Sequence, residues 1–194
     1  MRWRPLLVCL ALAAGAAGCG GSSSSGDSSP KETTDPAAAA LPAWTRLIND
    51  TAGFSLSLPP GWTPRRSGEG GTLIRSSDRA LAVAVSADRS NDGAGDPPTT
   101  YLERTARHLN GYRSLRTGRA VRVPGLRYPA AGLTAAGTFS RTRVRQAITL
   151  YALHRPGIVT YTLAVFRSAA IPASRYAPYL QAILRSFRGR PGRV

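Results

Sequence analysis

Apolar residues occupy every second position in Phe54-Ser55-Leu56-Ser57-Leu58, and Pro59-Pro60-Gly61-Trp62 then breaks the pattern, which predicts a half-buried strand ended by a turn. Leu81-Ala82-Val83-Ala84-Val85 alternates large and small side chains in the same way and is expected to line the same core. Three further runs rich in β-branched and aromatic residues, 120–123, 143–153 and 158–166, read as strands. His154-Arg155-Pro156-Gly157 separates the last two and predicts an antiparallel hairpin, and the glycine-rich Gly68-Glu69-Gly70-Gly71 predicts another hairpin turn.

Two segments carry helical periodicity. In the first, Thr100-x-x-Glu103 has the form of a capping box, Leu102, Ala106 and Leu109 make one apolar stripe, Glu103 and Arg107 stand four apart on the other face, and Gly111 ends the pattern. In the second, Ser174 is placed to cap a helix whose inner face is Tyr176, Leu180, Ile183, Leu184 and Phe187, with Pro178 in its first turn and Gly189 and Pro191 as stops. The order of strands, helix, strands, helix predicts an α+β fold, an antiparallel β-sheet sandwiched by α-helices.

The start of the chain obeys different rules. Met1-Arg2-Trp3-Arg4 is a positive leader, residues 6–14 are apolar, and Ala16-Ala17-Gly18 are small, which together predict a cleavable export signal over residues 1–18. The apolar stretch falls well short of the roughly 20 residues that a membrane-crossing helix needs. The small residues before Cys19 resemble a bacterial lipobox, although Ala16 stands where leucine is commonest. That resemblance implies cleavage between Gly18 and Cys19 and a diacylglyceryl group on the Cys19 thiol; the alternative is ordinary secretion with Cys19 left as a free thiol. Cys9 lies inside the segment to be removed, so the mature chain has no internal disulfide and the lipid gives its one cysteine a purpose.

Residues 19–43 are Gly/Ser/Ala/Pro-rich with almost nothing to bury, the composition of a disordered tether that would hold a folded domain on the order of 25 Å from a bilayer. Residues 44–189 are expected to form that one domain with a single core, leaving 190–194 as a basic tail.

The net charge of +16 is carried almost wholly by arginine, because Lys31 is the only lysine, and no acidic residue comes after Glu103. Such one-sided charge attracts polyanions; outside a bacterium these are anionic lipid head groups or phosphorylated polymers. The alternative is a compositional bias that leaves the arginines as solvated faces. Arg141-Thr142-Arg143-Val144-Arg145, read as strand, puts Arg141, Arg143 and Arg145 on one face about 6.5 to 7 Å apart, a candidate grip for an anionic ligand. Arg113, Arg116, Arg119 and Arg122 make a second basic stretch. The aromatic interleaving of a nucleic-acid surface is missing, so nucleic acid is not an expected partner.

Catalytic patterns are missing too. The histidines, His108 and His154, have no G-x-S-x-G elbow or neighbouring acid in sequence, and are expected to be surface or hydrogen-bonded structural residues. The few carboxylates, among them Asp50, Asp78, Asp88, Asp96 and Glu103, form no evident acid pair, and no cysteine remains in the domain for zinc. Asp88-Arg89-Ser90-Asn91-Asp92-Gly93 spaces oxygen ligands as calcium loops do, but Thr99 stands where the bidentate glutamate belongs. Neither catalytic residues nor a metal or cofactor is expected.

The segment from Gly53 to Trp62 resembles the opening motif of PsbP-like domains, and Tyr179-Leu180-x-x-Ile183-Leu184-x-Ser186-Phe187 resembles their closing helix, with Gly125, the 143–153 run and Tyr161-Thr162-Leu163 in the expected order between them. That resemblance implies an antiparallel sheet sandwiched by helices and a binding or assembly role. The family's namesake is a photosystem II subunit, a relative binds the Ran GTPase, and the actinobacterial lipoproteins of the family are the most similar subgroup. It carries over no catalytic residue. The resulting expectation is a non-catalytic lipoprotein on the extracytoplasmic face of the cell membrane. It would bind an anionic or amphiphilic envelope component or a partner protein; a weak hydrolase of envelope material and a structural assembly subunit are the alternatives.

Overall fold

The computed structural model of the chain describes residues 43–68 and 70–191. The export signal, Gly18, Cys19, the tether up to residue 42 and the last three residues of the basic tail lie outside the described residues. Strands β1 (Thr45–Asn49), β2 (Phe54–Leu58), β3 (Thr63–Ser67), β4 (Gly71–Arg75) and β5 (Leu81–Asp88) lead into helices α1 (Asn91–Gly95) and α2 (Pro98–Arg107). Strands β6 (Tyr112–Thr117), β7 (Val121–Arg122), β8 (Ala130–Phe139), β9 (Arg145–Arg155) and β10 (Val159–Ser168) come next, then a short 3-10 turn, helix α3 (Ala177–Ser186) and β11 (Arg188–Gly189).

An eight-stranded sheet runs in the order β3-β4-β5-β10-β9-β8-β6, with β7 also pairing β8, and a smaller sheet runs β1-β2-β11; all pairings are antiparallel. Because side chains alternate along a strand, the large sheet feeds two cores. On one face Tyr161, Leu163 and Val165 of β10 meet Phe54, Leu56 and Leu58 of β2 and Ile183, Leu184 and Phe187 at the C-terminal helix. On the other, Leu133, Ile148 and Leu150 meet Tyr101, Leu102 and Ala106 of α2. A helix therefore covers only one face alone. The small sheet shares the other with α3, so helices lie on both faces as expected, but on one of them the cover is only partly helical.

The aromatic heart of the first core is specific. Phe54 stacks on Phe187 at 5.7 Å, and Tyr161 stands edge-on to both at 6.4 and 4.9 Å. The Tyr161 hydroxyl donates to the Gly53 carbonyl at 2.7 Å, and the Arg190 N–H donates to the same oxygen at 2.7 Å. Strand β11 lies so close over this cluster that a Cβ at Gly189 would come within 2.9 Å of Arg155 Cδ and 3.1 Å of Tyr161. The helix therefore stops at Ser186, and Arg188 and Gly189 pair as a strand with Ser55 and Phe54.

Other boundaries differ from expectation for identifiable reasons. Helix α2 begins at Pro98 behind an extended Pro97, so Thr100 is already helical and makes no cap; the predicted capping box does not form. Ser174 sits in the 3-10 turn, and α3 likewise has no side-chain cap. The expected 120–123 strand is β7, only Val121–Arg122. Strand β8 has no bulky alternation because its small residues let neighbours approach: a Cβ on Gly132 would sit 3.3 Å from Val123 and 3.4 Å from Tyr151, and one on Gly137 3.2 Å from Leu115.

Candidate anion-binding surface

The far edge of the large sheet from β3 is rich in arginine, and strand register decides which arginines meet there. Arg113 of β6 lies opposite Thr138 of β8, and Arg145 at the start of β9 lies opposite the same threonine from the other side. Arg116 lies opposite Ala136 beyond a bulge at Ser114, whose φ is 51°. Directly paired residues share a sheet face, and strands are about 4.8 Å apart, so Arg113 and Arg145 flank Thr138 roughly 10 Å from one another.

That face is the one away from α2, because the alternate residues of β8, Ala131, Leu133 and Ala135, pack under the helix. Here the small sheet and α3 do not reach. Thr134 is exposed, and Ala136, Thr138, Ala147 and Thr149 are only half-buried. The result is an open polar shelf of small side chains bordered by the exposed Arg113, Arg116 and Arg145. Guanidinium forks around a shelf without carboxylates suit carboxylate or phosphate oxygens, which they bind through paired N–H donors.

The strand row expected of Arg141, Arg143 and Arg145 does not form. Phe139 N–H bonds the Val144 carbonyl at 2.9 Å and Arg143 N–H bonds the Phe139 carbonyl at 2.8 Å, so residues 140–144 close the β8–β9 turn. Arg143 has the left-handed φ of 56°, and only Arg145 is on a strand. Arg141 and Arg143 nevertheless stay exposed at the tip of the shelf's end of the sheet. The second basic stretch divides: Arg113 and Arg116 border the shelf, Arg119 lies in the connection to β7, and Arg122 opposes Ala131 on the α2 side.

The histidines are placed differently from one another. His108 caps the C-terminus of α2 and is exposed. His154 is buried in β9, not in the turn itself, with Nδ1 2.8 Å from Thr160 Oγ1. The Thr160 hydroxyl is fully buried and donates to the Gly93 carbonyl, so its proton is engaged and the His154 Nδ1–H is the donor between the two side chains. Burial pushes the His154 pKa down from its ordinary value, against the pull of Asp96. The chain of bonds from Gly93 to Thr160 to His154 ties α1 to the β9–β10 hairpin.

The calcium-like loop closes on itself. Asp88 Oδ1 accepts from the Ser90 N–H and hydroxyl at 2.9 and 2.7 Å, and Arg89 donates to the Ala52 carbonyl at 2.7 Å. Among the described residues no group of three or more histidine, cysteine or acidic side chains is placed to hold a metal, and no helix is long and apolar enough to cross a membrane.

The architecture defines a class, an antiparallel sheet with one helix on one face and a small sheet plus a C-terminal helix on the other. Solved structures share it. The yeast (Saccharomyces cerevisiae) Ran-binding protein Mog1p matches with a TM-score of 0.54 at 11% identity over 76% of this chain and 95% of its own. LpqN, involved in cell envelope biogenesis of Mycobacterium tuberculosis, matches at 0.52 with 13% identity over 77% and 91%. A Bacteroides thetaiotaomicron protein matches at 0.53 with 17% identity over 75% of this chain, which spans about half (48%) of that protein. No family model matches the chain, and no curated protein matches it in sequence. The fold is therefore the one seen in Mog1p and LpqN.

Proposed function

We propose that the protein is a non-catalytic lipoprotein of the cell envelope, tethered through Cys19 at the extracytoplasmic membrane face, that binds a polyanionic envelope component on the shelf bordered by Arg113, Arg116 and Arg145. Membership of the PsbP-like family is part of this reading, supported by the Gly53 to Trp62 motif and by the fold. The observation that carries it is the open, arginine-bordered sheet face in a chain with no acidic residue after Glu103. The envelope neighbourhood draws support from the lipobox-like start and from the shared fold with LpqN. The non-catalytic part draws support from His154, whose hydroxyl partner is buried and already committed to a carbonyl. Arg141 and Arg143 extend the same surface at its tip.

The test is calorimetric titration of the full chain in detergent with poly(glycerol phosphate) at several salt concentrations. At roughly 1 kcal/mol for each basic residue near an anionic surface, changing Arg113, Arg116 and Arg145 together to glutamine should weaken binding about a hundredfold and flatten its salt dependence. Adding Arg141→Gln and Arg143→Gln should weaken it further. Equal binding by the variant and the parent would remove the shelf from the account.

A further inference from the structure

At the opposite edge of the large sheet, the β2–β3 and β4–β5 turns and the first residues of β3 enclose a pocket of about 280 Å³. Thr63, Arg65, Arg75 and Arg79 line it with Gly61 and Ser77. Register explains the convergence. Arg75 lies directly opposite Thr63, and Arg65 opposite Leu73, so Arg65 and Arg75 are diagonal neighbours on one face, about 7 to 8 Å apart at the backbone. Arg79 comes from the turn, where its backbone adopts the left-handed φ of 57°. Gly61, with φ of 74°, lets the other turn close in, since a Cβ there would lie 3.1 Å from Ser77 Cβ.

Three guanidinium groups thus share one concavity, and none of them has a hydrogen-bond or ion-pair partner among the described residues. The Arg75 Nε–H is moreover buried without any acceptor. A buried donor left unsatisfied is costly, and more so where it is charged, so the site is incomplete as it stands. The one carboxylate in the turn does not complete it. Asp78 Oδ1 accepts from the Ser76 hydroxyl at 2.5 Å and the Ala80 N–H at 3.1 Å, and its Oδ2 accepts from Arg175 at 2.8 Å and the Tyr176 hydroxyl at 2.5 Å. Asp78 therefore holds the turn to the C-terminal segment while the arginines remain available. The Ser77 hydroxyl is also exposed and unengaged.

We infer that this pocket is a binding site for a phosphate group, held by the forks of Arg65, Arg75 and Arg79 with the Ser77 hydroxyl as a further donor. Three cations and a hydroxyl donor suit the negative charge and the oxygens of a phosphate monoester, and guanidinium forks bind such oxygens in pairs. The size of the pocket admits a phosphorylated head group or sugar, not a polymer laid along a surface. This inference stands apart from the shelf, which lies at the other edge of the sheet and can fail without it.

The test uses the full chain in detergent, titrated calorimetrically with inorganic phosphate and glycerol 3-phosphate, with acetate as the carboxylate control. Saturable phosphate binding is expected, with at least tenfold weaker binding of acetate. Arg75→Gln should reduce phosphate affinity at least tenfold. Since Arg75 is half-buried, Arg79→Gly is the decisive companion: glycine prefers the left-handed backbone already present, so the fold should hold or gain in melting temperature while phosphate affinity falls. Vesicles containing phosphatidic acid, compared with soluble glycerol 3-phosphate, separate a lipid source from a soluble one. No saturable phosphate binding by the parent, equal binding of acetate, or unchanged affinity in folded Arg79→Gly would overturn the inference.

Discussion

The two faces of the large sheet are built by opposite means. Toward the small sheet and α3 the core is aromatic, with Phe54, Tyr161 and Phe187 in contact and a carbonyl at Gly53 that takes two hydrogen bonds. Toward α2 it is made of Ala106, Ala131, Ala135 and Ala152 with Tyr101, Leu102, Leu133, Ile148 and Leu150, and its polar links include His154 with Thr160 and Tyr112 with Gln146. The first face gains its stability from large buried side chains in fixed ring geometry; the second gains it from the close approach that small side chains permit. The two should therefore fail in opposite directions, one when volume is removed and the other when it is added.

The largest expected effect is on the aromatic face. Phe187→Ala should cost about 3 to 5 kcal/mol in urea denaturation, because Phe187 is fully buried and touches both other rings. A loss below about 1 kcal/mol would show that the ring cluster is not what closes this face. On the α2 face the informative change is an addition. Ala135→Leu should cost about 1 to 3 kcal/mol by pushing α2 from the sheet, and a stabilised variant would contradict the close-packed description.

The smallest effect separates the faces by pH. Burial lowers the His154 pKa, so the folded state prefers the neutral ring; its contribution is complete above the ordinary value of 6.5 and declines as pH falls below it. Burial alone would raise the Asp78 carboxyl, but hydrogen bonds from Ser76, Tyr176 and Ala80, with the charge of Arg175, outweigh it and hold the pKa below 3.8. Its contribution is therefore complete above 3.8 and lost only as pH falls further. Denaturation midpoints measured from about pH 8 to about pH 3 should show two shallow declines, the upper one missing in His154→Asn and the lower one in Asp78→Asn. A single decline that survives both substitutions would defeat the assignment.

Sequence pattern reports β2, β5, β9 and β10 well because each alternates bulky apolar residues with smaller or polar ones, which is the signature of a strand buried on a face. It conceals β8 for the reason that gives β8 its role: Ala-Ala-Gly-Leu-Thr-Ala-Ala-Gly carries little hydrophobic contrast, and its fitness for a strand exists only against Val123, Tyr151, Leu115 and α2. The arginines are visible in sequence and their grouping is not. Alternation in Arg141-Thr142-Arg143-Val144-Arg145 imitates a strand, while the turn there is set by backbone bonds between Phe139 and residues 143 and 144. Arg113 and Arg145 are 32 positions apart (145 − 113), and only the register across β8 joins them. Arg65, Arg75 and Arg79 do not stand out from the other arginines at all; Ser76-Ser77-Asp78 between two apolar runs is the turn signal that places the last two near each other.

The pairing of β11 with β2 also sets a schedule. Gly53 and Phe54 are made early, yet the bond from Arg190 to the Gly53 carbonyl and the stacking of Phe187 on Phe54 need residues synthesised more than 130 positions later (187 − 54 = 133). Until those residues are made, Phe54 lacks its stacking partner Phe187 and the Gly53 carbonyl lacks the Arg190 N–H. Closing so long a loop is a late and slow event. The first strands of this domain are thus completed only by its last one.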